Sequence, residues 1–358
     1  MKKRLLGVLL STVMTAAMLT GCSSGSSEAP AAPAEATEEE GTETGSESTG
    51  GQKTFYYVAP GLGQPYSIDM IKGLQYAAEK YNVKIIAQGA NDWDSDTACA
   101  ALEQVIPNNP DGIITAAWDA AMNPGILKAQ EAGIPIIVVE AESGEFGDLY
   151  IGLDNVDAGR ETAQELIKAA GNSGKLLVIG NWGSTNIDQK YEGLKEVLAD
   201  TDWEIVGDQD GECDAATSLQ AAKDLLSANP DVDAFVGLDS ACGGGIAGAM
   251  EELGMEPGSI TVICADREDA MLDYIQDGYI HASLTNRTAA MTDMAVALLV
   301  NATDYGFLDV PVSSDNEASA ISVWPLTIYT GNVVITKDNV ENFYHDALGE
   351  YGADNYEG

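Results

Sequence analysis

The chain has 358 residues, with 57 acidic and 17 basic side chains and a formal net charge of −40. Phosphate contacts need clustered lysine and arginine, so this balance argues against a nucleic-acid partner. Two histidines and five cysteines without a CxxC spacing argue against a His/Cys metal site, and no metal or cofactor is expected.

The chain opens with Lys2, Lys3 and Arg4, followed by an apolar run from Leu5 to Leu19. Leu19-Thr20-Gly21-Cys22 then reads as a lipobox, with residues 1–22 as the signal segment and Cys22 as the lipidated residue. The apolar run falls short of the roughly 20 residues that span a bilayer. The expectation is a protein outside the cytoplasm, held to the outer face of the cell membrane by acyl chains. Residues 23–52 are rich in Ser, Gly, Ala, Pro, Thr and Glu and read as a disordered acidic tether. About 300 residues remain, which suits two domains of about 150.

From Lys53 short apolar runs alternate with helical ones. Strands are predicted at Thr54–Ala59, Lys84–Gln88, Gly112–Ala116, Pro135–Glu140 and Leu149–Leu153. They resume at Lys175–Gly180, Glu204–Asp208, Ala234–Leu238, Thr261–Ala265 and His281–Thr285. In the stretch from Ile68 to Tyr81, Ile68, Ile71, Leu74, Ala78 and Tyr81 form one apolar helical stripe. Further helices are predicted at Asp157–Ala170, Asp188–Ala199, Ala215–Ala228, Ile246–Leu253, Glu268–Gln276 and Thr288–Asn301. Val312–Ser322 reads as a surface loop, Trp324–Asp338 as closing strands and Asp338–Leu348 as a terminal helix. Alternating strands and helices predict an α/β fold of doubly wound parallel sheets, covered on both faces.

An internal echo points to two related halves. NNPDGIITAAWD at 108–119 matches ANPDVDAFVGLD at 228–239, each running from an Asn-Pro-Asp turn through a buried strand to a carboxylate. Ligands of open α/β sheets bind beyond the carboxyl ends of strands, so Asp119 and Asp239 are expected at matching places facing one cleft. Both also suit helix N-caps, and the two roles can coexist. Cys99, Cys213, Cys242 and Cys264 read as small buried apolar side chains, with a Cys213–Cys242 or other disulfide left open.

Several landmarks in order carry a family resemblance: Gln64-Pro65-Tyr66-Ser67, PDGIITAAWDAA (110–121), AGIPIIVVEAE (132–142), YIGLDNVDAGRETAQELI (150–167), NPDVDAFVGLDS (229–240), ITVICADRED (260–269) and HASLTN (281–286). Over about residues 53–305 the chain resembles the ribose-binding-protein-like family of type I periplasmic solute-binding proteins. The resemblance implies a two-domain clamp that closes on a monosaccharide or related polyhydroxylated molecule and delivers it to an ABC permease, without catalysis. It implies a first lobe of residues 53–154 plus 287–310, and a second of 155–286 plus about 311–358. The hinge would be crossed near Leu153–Asp157, near Ser283–Arg287 and after about Pro311. A monomer is expected, its partners being the sugar-like ligand, the permease and, through the lipid, the membrane.

The resemblance also implies ligand contacts. Gln64 and Tyr66 match the entry positions of the family pocket, and Asp119 matches a sugar-binding aspartate. Glu140 stands at a strand end near a position that often makes polar contacts, Asp239 where an Asn or Asp binds hydroxyls, Asp266, in Cys-Ala-Asp, at the family's aspartate after Gly-Phe, and Asn286 where glutamine is common. Two positions depart from the pattern. Asp188 stands where the family has arginine, and Cys213 where an aromatic stacks on the sugar. Trp118 and Trp182, at strand ends, are candidates for the missing stacking surface. Four aspartates near one cleft, Asp119, Asp188, Asp239 and Asp266, leave three outcomes: Lys190 or Arg267 turns inward, some carboxylates face water, or the ligand is cationic.

Rival readings fare worse. Gly243-x-Gly245-x-x-Gly248 after a strand loosely fits a dinucleotide fingerprint, but the glycines also suit close helix packing. GxSxG, GxxxxGK[ST] and HExxH are absent, and Asp208-x-Asp210 fails as a calcium loop. A sugar-responsive repressor would need a basic DNA-binding segment where this chain has an acidic tether. A sensor lipoprotein, or a binder of a nucleoside, amino sugar or furanose signal molecule, would share the fold and stays open as an alternative.

Overall fold

The computed structural model describes residues 51–142, 144, 147–302, 327–345 and 353–358. The signal segment, almost all of the tether, the Val312–Ser322 loop and the third hinge crossing lie outside the described residues.

The first half runs β1 (Thr54–Ala59), α1 (Ser67–Tyr81), β2 (Lys84–Gly89), α2 (Ser95–Val105), β3 (Gly112–Thr115), α3 (Asn123–Glu131), β4 (Ile136–Glu140) and β5 (Leu149–Gly152). The second runs α4 (Asn155–Ala170), β6 (Ser173–Gly180), α5 (Thr185–Leu198), β7 (Asp202–Asp210), α6 (Ala215–Ala228), β8 (Ala234–Gly237), α7 (Cys242–Glu252), β9 (Thr261–Ala265), α8 (Asp269–Asp277) and β10 (Ala282–Thr285). Helix α9 (Thr288–Val300) and the short strands β11 (Thr327–Tyr329), β12 (Val333–Thr336) and β13 (Tyr356–Glu357) complete the fold.

Two sheets result, with orders β11-β5-β4-β3-β1-β2-β13 and β12-β10-β9-β8-β6-β7. All described pairings are parallel except β10 with β12. The five central strands share one order in both sheets, as the internal echo requires. Each sheet is apolar on both faces. Phe55, Tyr57 and Ala59 of β1 enter one core cluster, and Tyr56 and Val58 enter another. Leu177 and Ile179 of β6 likewise part from Leu176 and Val178. Burial on both faces produces the near-continuous apolar runs from which the strands could be predicted.

The chain leaves the first sheet after β5 and enters the second lobe through α4, which packs on α5. From β10 it returns through α9, which packs on α1. The α4–α5 crossing is tight: a Cβ on Gly159 would lie 1.9 Å from the Lys190 carbonyl oxygen, and one on Gly193 would lie 1.9 Å from that of Val156. These two glycines set the height of α5 against its neighbour.

The tail departs from expectation in two ways. It was assigned to the second lobe, yet β11 pairs with β5 and β13 with β2, so both join the first sheet while β12 joins the second. The predicted terminal helix is, among the described residues, a turn and one 3-10 segment at Val340–Asn342. Asn339 accepts from the Thr336 N–H at 2.8 Å and donates to the Val334 carbonyl at 3.0 Å, and this local side-chain bonding competes with helix formation. Helices α2 and α3 were not predicted. The first has a weak stripe of Ala98, Cys99, Leu102 and Val105, and the second begins Asn-Pro-Gly. Proline is compatible with a first helical turn, so the apparent breaker is an initiator.

Candidate functional site

The strands of both sheets point their carboxyl ends at a cavity of about 310 Å3. This lies at the lower end of the roughly 300–1,000 Å3 range of small-molecule sites. From the first lobe come Trp118 and Asp119 after β3 and Glu140 at the end of β4; from the second come Trp182 after β6, Asp239 after β8 and Asp266 after β9. Tyr66, at the start of α1, completes the set of expected residues that line it.

Asp119 and Asp239 occupy equivalent positions, and both are caps as well as cavity residues. Asp119 accepts from the Ala121 N–H at 2.8 Å through one oxygen and from the Ser95 hydroxyl through the other. Asp239 accepts through Oδ1 from the Ala241 and Cys242 N–H groups at 2.9 and 3.1 Å. Its Oδ2 is buried, and the Cys242 thiol also bonds to the carboxylate.

Glu140 and Asp266 form the second equivalent pair. Both are left-handed, with φ of 68° and 69°. Such geometry is uncommon for a residue with a side chain and is held only where the surroundings demand it. Glu140 Oε1 accepts from the Tyr66 hydroxyl at 2.8 Å and from Asn286 Nδ2 at 3.1 Å, and Asn286 also donates to Tyr66 at 2.8 Å. Glu140 Oε2 is buried, and the Trp118 indole also bonds to the carboxylate. Burial pushes the Glu140 carboxyl up to about 7, against the opposing pull of the Lys190 charge and the Tyr66 hydroxyl. Burial likewise pushes Asp266 up to about 6, again opposed by Lys190. Asp239 is also raised by burial, while the hydrogen bonds at its cap and the Lys190 charge hold it down.

Of the two basic side chains considered, Lys190 turns inward. It is 8% exposed and lines the cavity. Arg267 instead bridges the lobes: its Nη2 lies 2.6 Å from Asp69 Oδ1 on α1, and its Nη1 donates to the Phe343 carbonyl.

Aromatic rings wall both sides. Trp93 meets Trp118 edge-on at 5.1 Å, and Trp182 stacks on Tyr191 at 4.9 Å. A Cβ on Gly61 would strike the Trp93 ring and one on Gly180 the Trp182 ring, so each indole lies against a glycine near the end of its lobe's first strand. Cys213 lines the cavity, and burial pushes its thiol up to about 12, which leaves it an inert small group. Cys99, Cys213, Cys242 and Cys264 are all free thiols, so the disulfide left open does not form. Gly243 and Gly245 pack α7 against Met271 and Ser218, and this contact accounts for the fingerprint-like spacing.

Three expected site residues do not line the cavity. Gln64 donates to the Asn91 carbonyl and to Asp92, so it braces a surface loop. Asp188 is exposed on α5 and accepts from the Gly183 N–H at 3.2 Å; a first-turn carboxylate favours the helix amino end. Asn286 stands behind the wall and orients Tyr66 and Glu140. Trp93, Ser95, Asn181, Ser184, Asn186 and Ser240 line the cavity without having been expected. The inward turn of Lys190, one of the outcomes the sequence leaves open, follows from the i, i+3, i+7 stripe it shares with buried Ile187 and Leu194.

Comparison with known proteins places this architecture. A family model described as a periplasmic binding protein domain matches residues 55–306. The ribose import binding protein of Salmonella typhimurium is 21% identical over 234 residues, covering 64% of this chain and 78% of that protein. The D-allose-binding periplasmic protein of Escherichia coli is 21% identical over 258 residues, covering 68% and 83%. The structure of an arabinose binding protein from Geobacillus stearothermophilus superposes with a TM-score of 0.72 at 29% identity, over 82% of this chain and all of that one. A sugar-binding protein of a sugar ABC transporter from Bacillus halodurans gives 0.74 at 26%, with the same coverage. With its two parallel sheets, the cavity at their carboxyl ends and a family match across most of its length, the chain belongs to the periplasmic binding protein domain family, a family of solute-binding proteins and not of enzymes.

Proposed function

We propose that this protein captures a neutral monosaccharide in the cavity and presents it to the transmembrane subunits of an ABC importer, while a lipid on Cys22 holds it to the outer face of the cell membrane. The observation that carries the reading is the set of four carboxylates, Asp119 and Glu140 from the first lobe and Asp239 and Asp266 from the second, that line one cavity with indole walls. Carboxylates accept hydrogen bonds, so the site is built for a molecule that donates. Sugar hydroxyls both donate and accept, and sugar C–H faces pack on indole rings. The names of the relatives, which bind ribose, allose and arabinose, agree with a pentose or hexose.

A ligand reaching both lobes favours their closure over it. The test is calorimetric titration and thermal unfolding of the protein with pentoses, hexoses, polyols and nucleosides. A ligand at a hundredfold its Kd stabilises by about 2.7 kcal/mol, a clear rise in Tm. One or a few neutral sugars binding with Kd near the micromolar range is the expected result; response to none of them would overturn the capture reading. The anchor is tested separately: Cys22→Ala should move the protein from the membrane fraction to the medium.

A further inference from the structure

Four carboxylates line the cavity: Asp119, Glu140, Asp239 and Asp266. The expected fifth, Asp188, is outside it. Taken alone, four carboxylates describe a site for a cation. Among the described residues, Lys190 is the one basic side chain that lines this cavity. Among the described residues no carboxylate lies within ion-pairing distance of its ammonium, although the side chain is 8% exposed. A buried charge is normally paired, so an ammonium held beside acids but bonded to none has donors left for something that occupies the cavity.

Its position is fixed by backbone as well as by side-chain packing. The Lys190 carbonyl is the atom against which Gly159 of α4 is pressed, so α5 cannot rotate the lysine out without opening that crossing. Its neighbours on the stripe, Ile187 and Leu194, are buried at 4% and 0% exposure. Arg267 cannot substitute, because Asp69 and the Phe343 carbonyl already hold it.

We infer that Lys190 sets the charge class of the ligand: its ammonium allows a cavity of carboxylates to hold a neutral polyhydroxylated molecule and turns away a cationic, amino-substituted one. The inference rests on the capture reading above and narrows it. A sugar oxygen accepts from Lys190 while neighbouring hydroxyls donate to the cavity carboxylates. An ammonium on the ligand would compete with Lys190 for those carboxylates and would meet its like charge across a cavity of about 310 Å3. Without the lysine the same walls become a cation site.

The test compares neutral pentoses and hexoses with their amino-deoxy counterparts by calorimetric titration at neutral pH, using wild type, Lys190→Met and Lys190→Arg. Wild type should prefer the neutral sugar by at least tenfold. Lys190→Met should weaken neutral-sugar binding at least tenfold and reduce the neutral-over-amino preference by a similar factor or reverse it. Lys190→Arg should keep the wild-type preference. An amino sugar bound by wild type as tightly as its neutral counterpart, or an unchanged preference in Lys190→Met, would overturn the inference and leave the capture reading standing. No binding of either class by wild type would overturn both. Unfolding curves without sugar show whether Lys190→Met is folded; if it is not, Lys190→Gln and the wild-type preference decide.

Discussion

The two walls of the cavity are built from equivalent positions but finished differently. In the first lobe, Asp119 has both oxygens engaged, by Ser95 and Ala121, and Glu140 is fixed by Tyr66 and Asn286. In the second, Asp239 holds the start of α7 through one oxygen, and among the described residues Lys190 has no ion pair. The first wall is a pre-tied platform with a pair of indoles. The second holds most of the unspent bonding capacity, so specificity should respond more to changes there.

The sharpest test of that asymmetry exchanges the matched aspartates. Asp239→Asn keeps an oxygen for the cap but removes the charge and puts an amide donor in place of Oδ2, and a hydrogen bond to a charged group is worth about 1.5–3 kcal/mol. Sugar affinity should fall by up to about a hundredfold, whereas Asp119→Asn should cost less than tenfold by the same titration. Equal losses would break the comparison.

Gly159→Ala places a methyl against the Lys190 carbonyl and should cost about 1–3 kcal/mol in urea unfolding, with weaker sugar binding because α5 is displaced. A purely structural crossing would show the first effect without the second.

Protonation probes the carboxylate at the centre of the first wall. The Glu140 carboxyl is held near 7, so it is neutral below that pH and cannot accept at both oxygens. Sugar affinity should therefore fall about tenfold from pH 8 to pH 6. The stability of the unliganded protein has the opposite sign. The native state keeps this proton to about 7 while the unfolded chain releases it near 4.5, so the contribution of Glu140 is full at low pH and is lost as pH rises across that window. Glu140→Gln should flatten both dependences.

Smaller effects are expected from the indoles. Trp182→Ala and Trp93→Ala should each weaken binding by roughly fivefold, in keeping with the 0.5–1.5 kcal/mol or so of an aromatic contact beyond its area. Asp188→Asn should leave affinity within about twofold, since its carboxylate faces solvent.

Most of the fold was readable because parallel strands buried on both faces leave unbroken runs such as IIVVE and LLVIG. The site was readable where a residue sits at a strand end, as Glu140, Asp239 and Asp266 do, since position there follows from the strand itself. It was not readable where a loop or a helix face decides. Trp93 precedes the cap of an unpredicted helix, and nothing local marks it as facing the cavity. Asp188 was chosen by position in a family pattern, although the residue two places on, Lys190, carries the buried stripe. The tail was misassigned because strands of two to four residues carry too little pattern to say which sheet they join.

The shared tail has a consequence for synthesis. The second lobe's five central strands lie in one unbroken stretch from Ser173 to Thr285, and β12, with Ile335 and Val340 of its core, follows later. The first lobe is begun earlier but takes α9, β11 and β13 from after that stretch. Until β11 and β13 have left the ribosome its sheet waits with both edges unpaired, so the half made first is completed after β12 has closed the other.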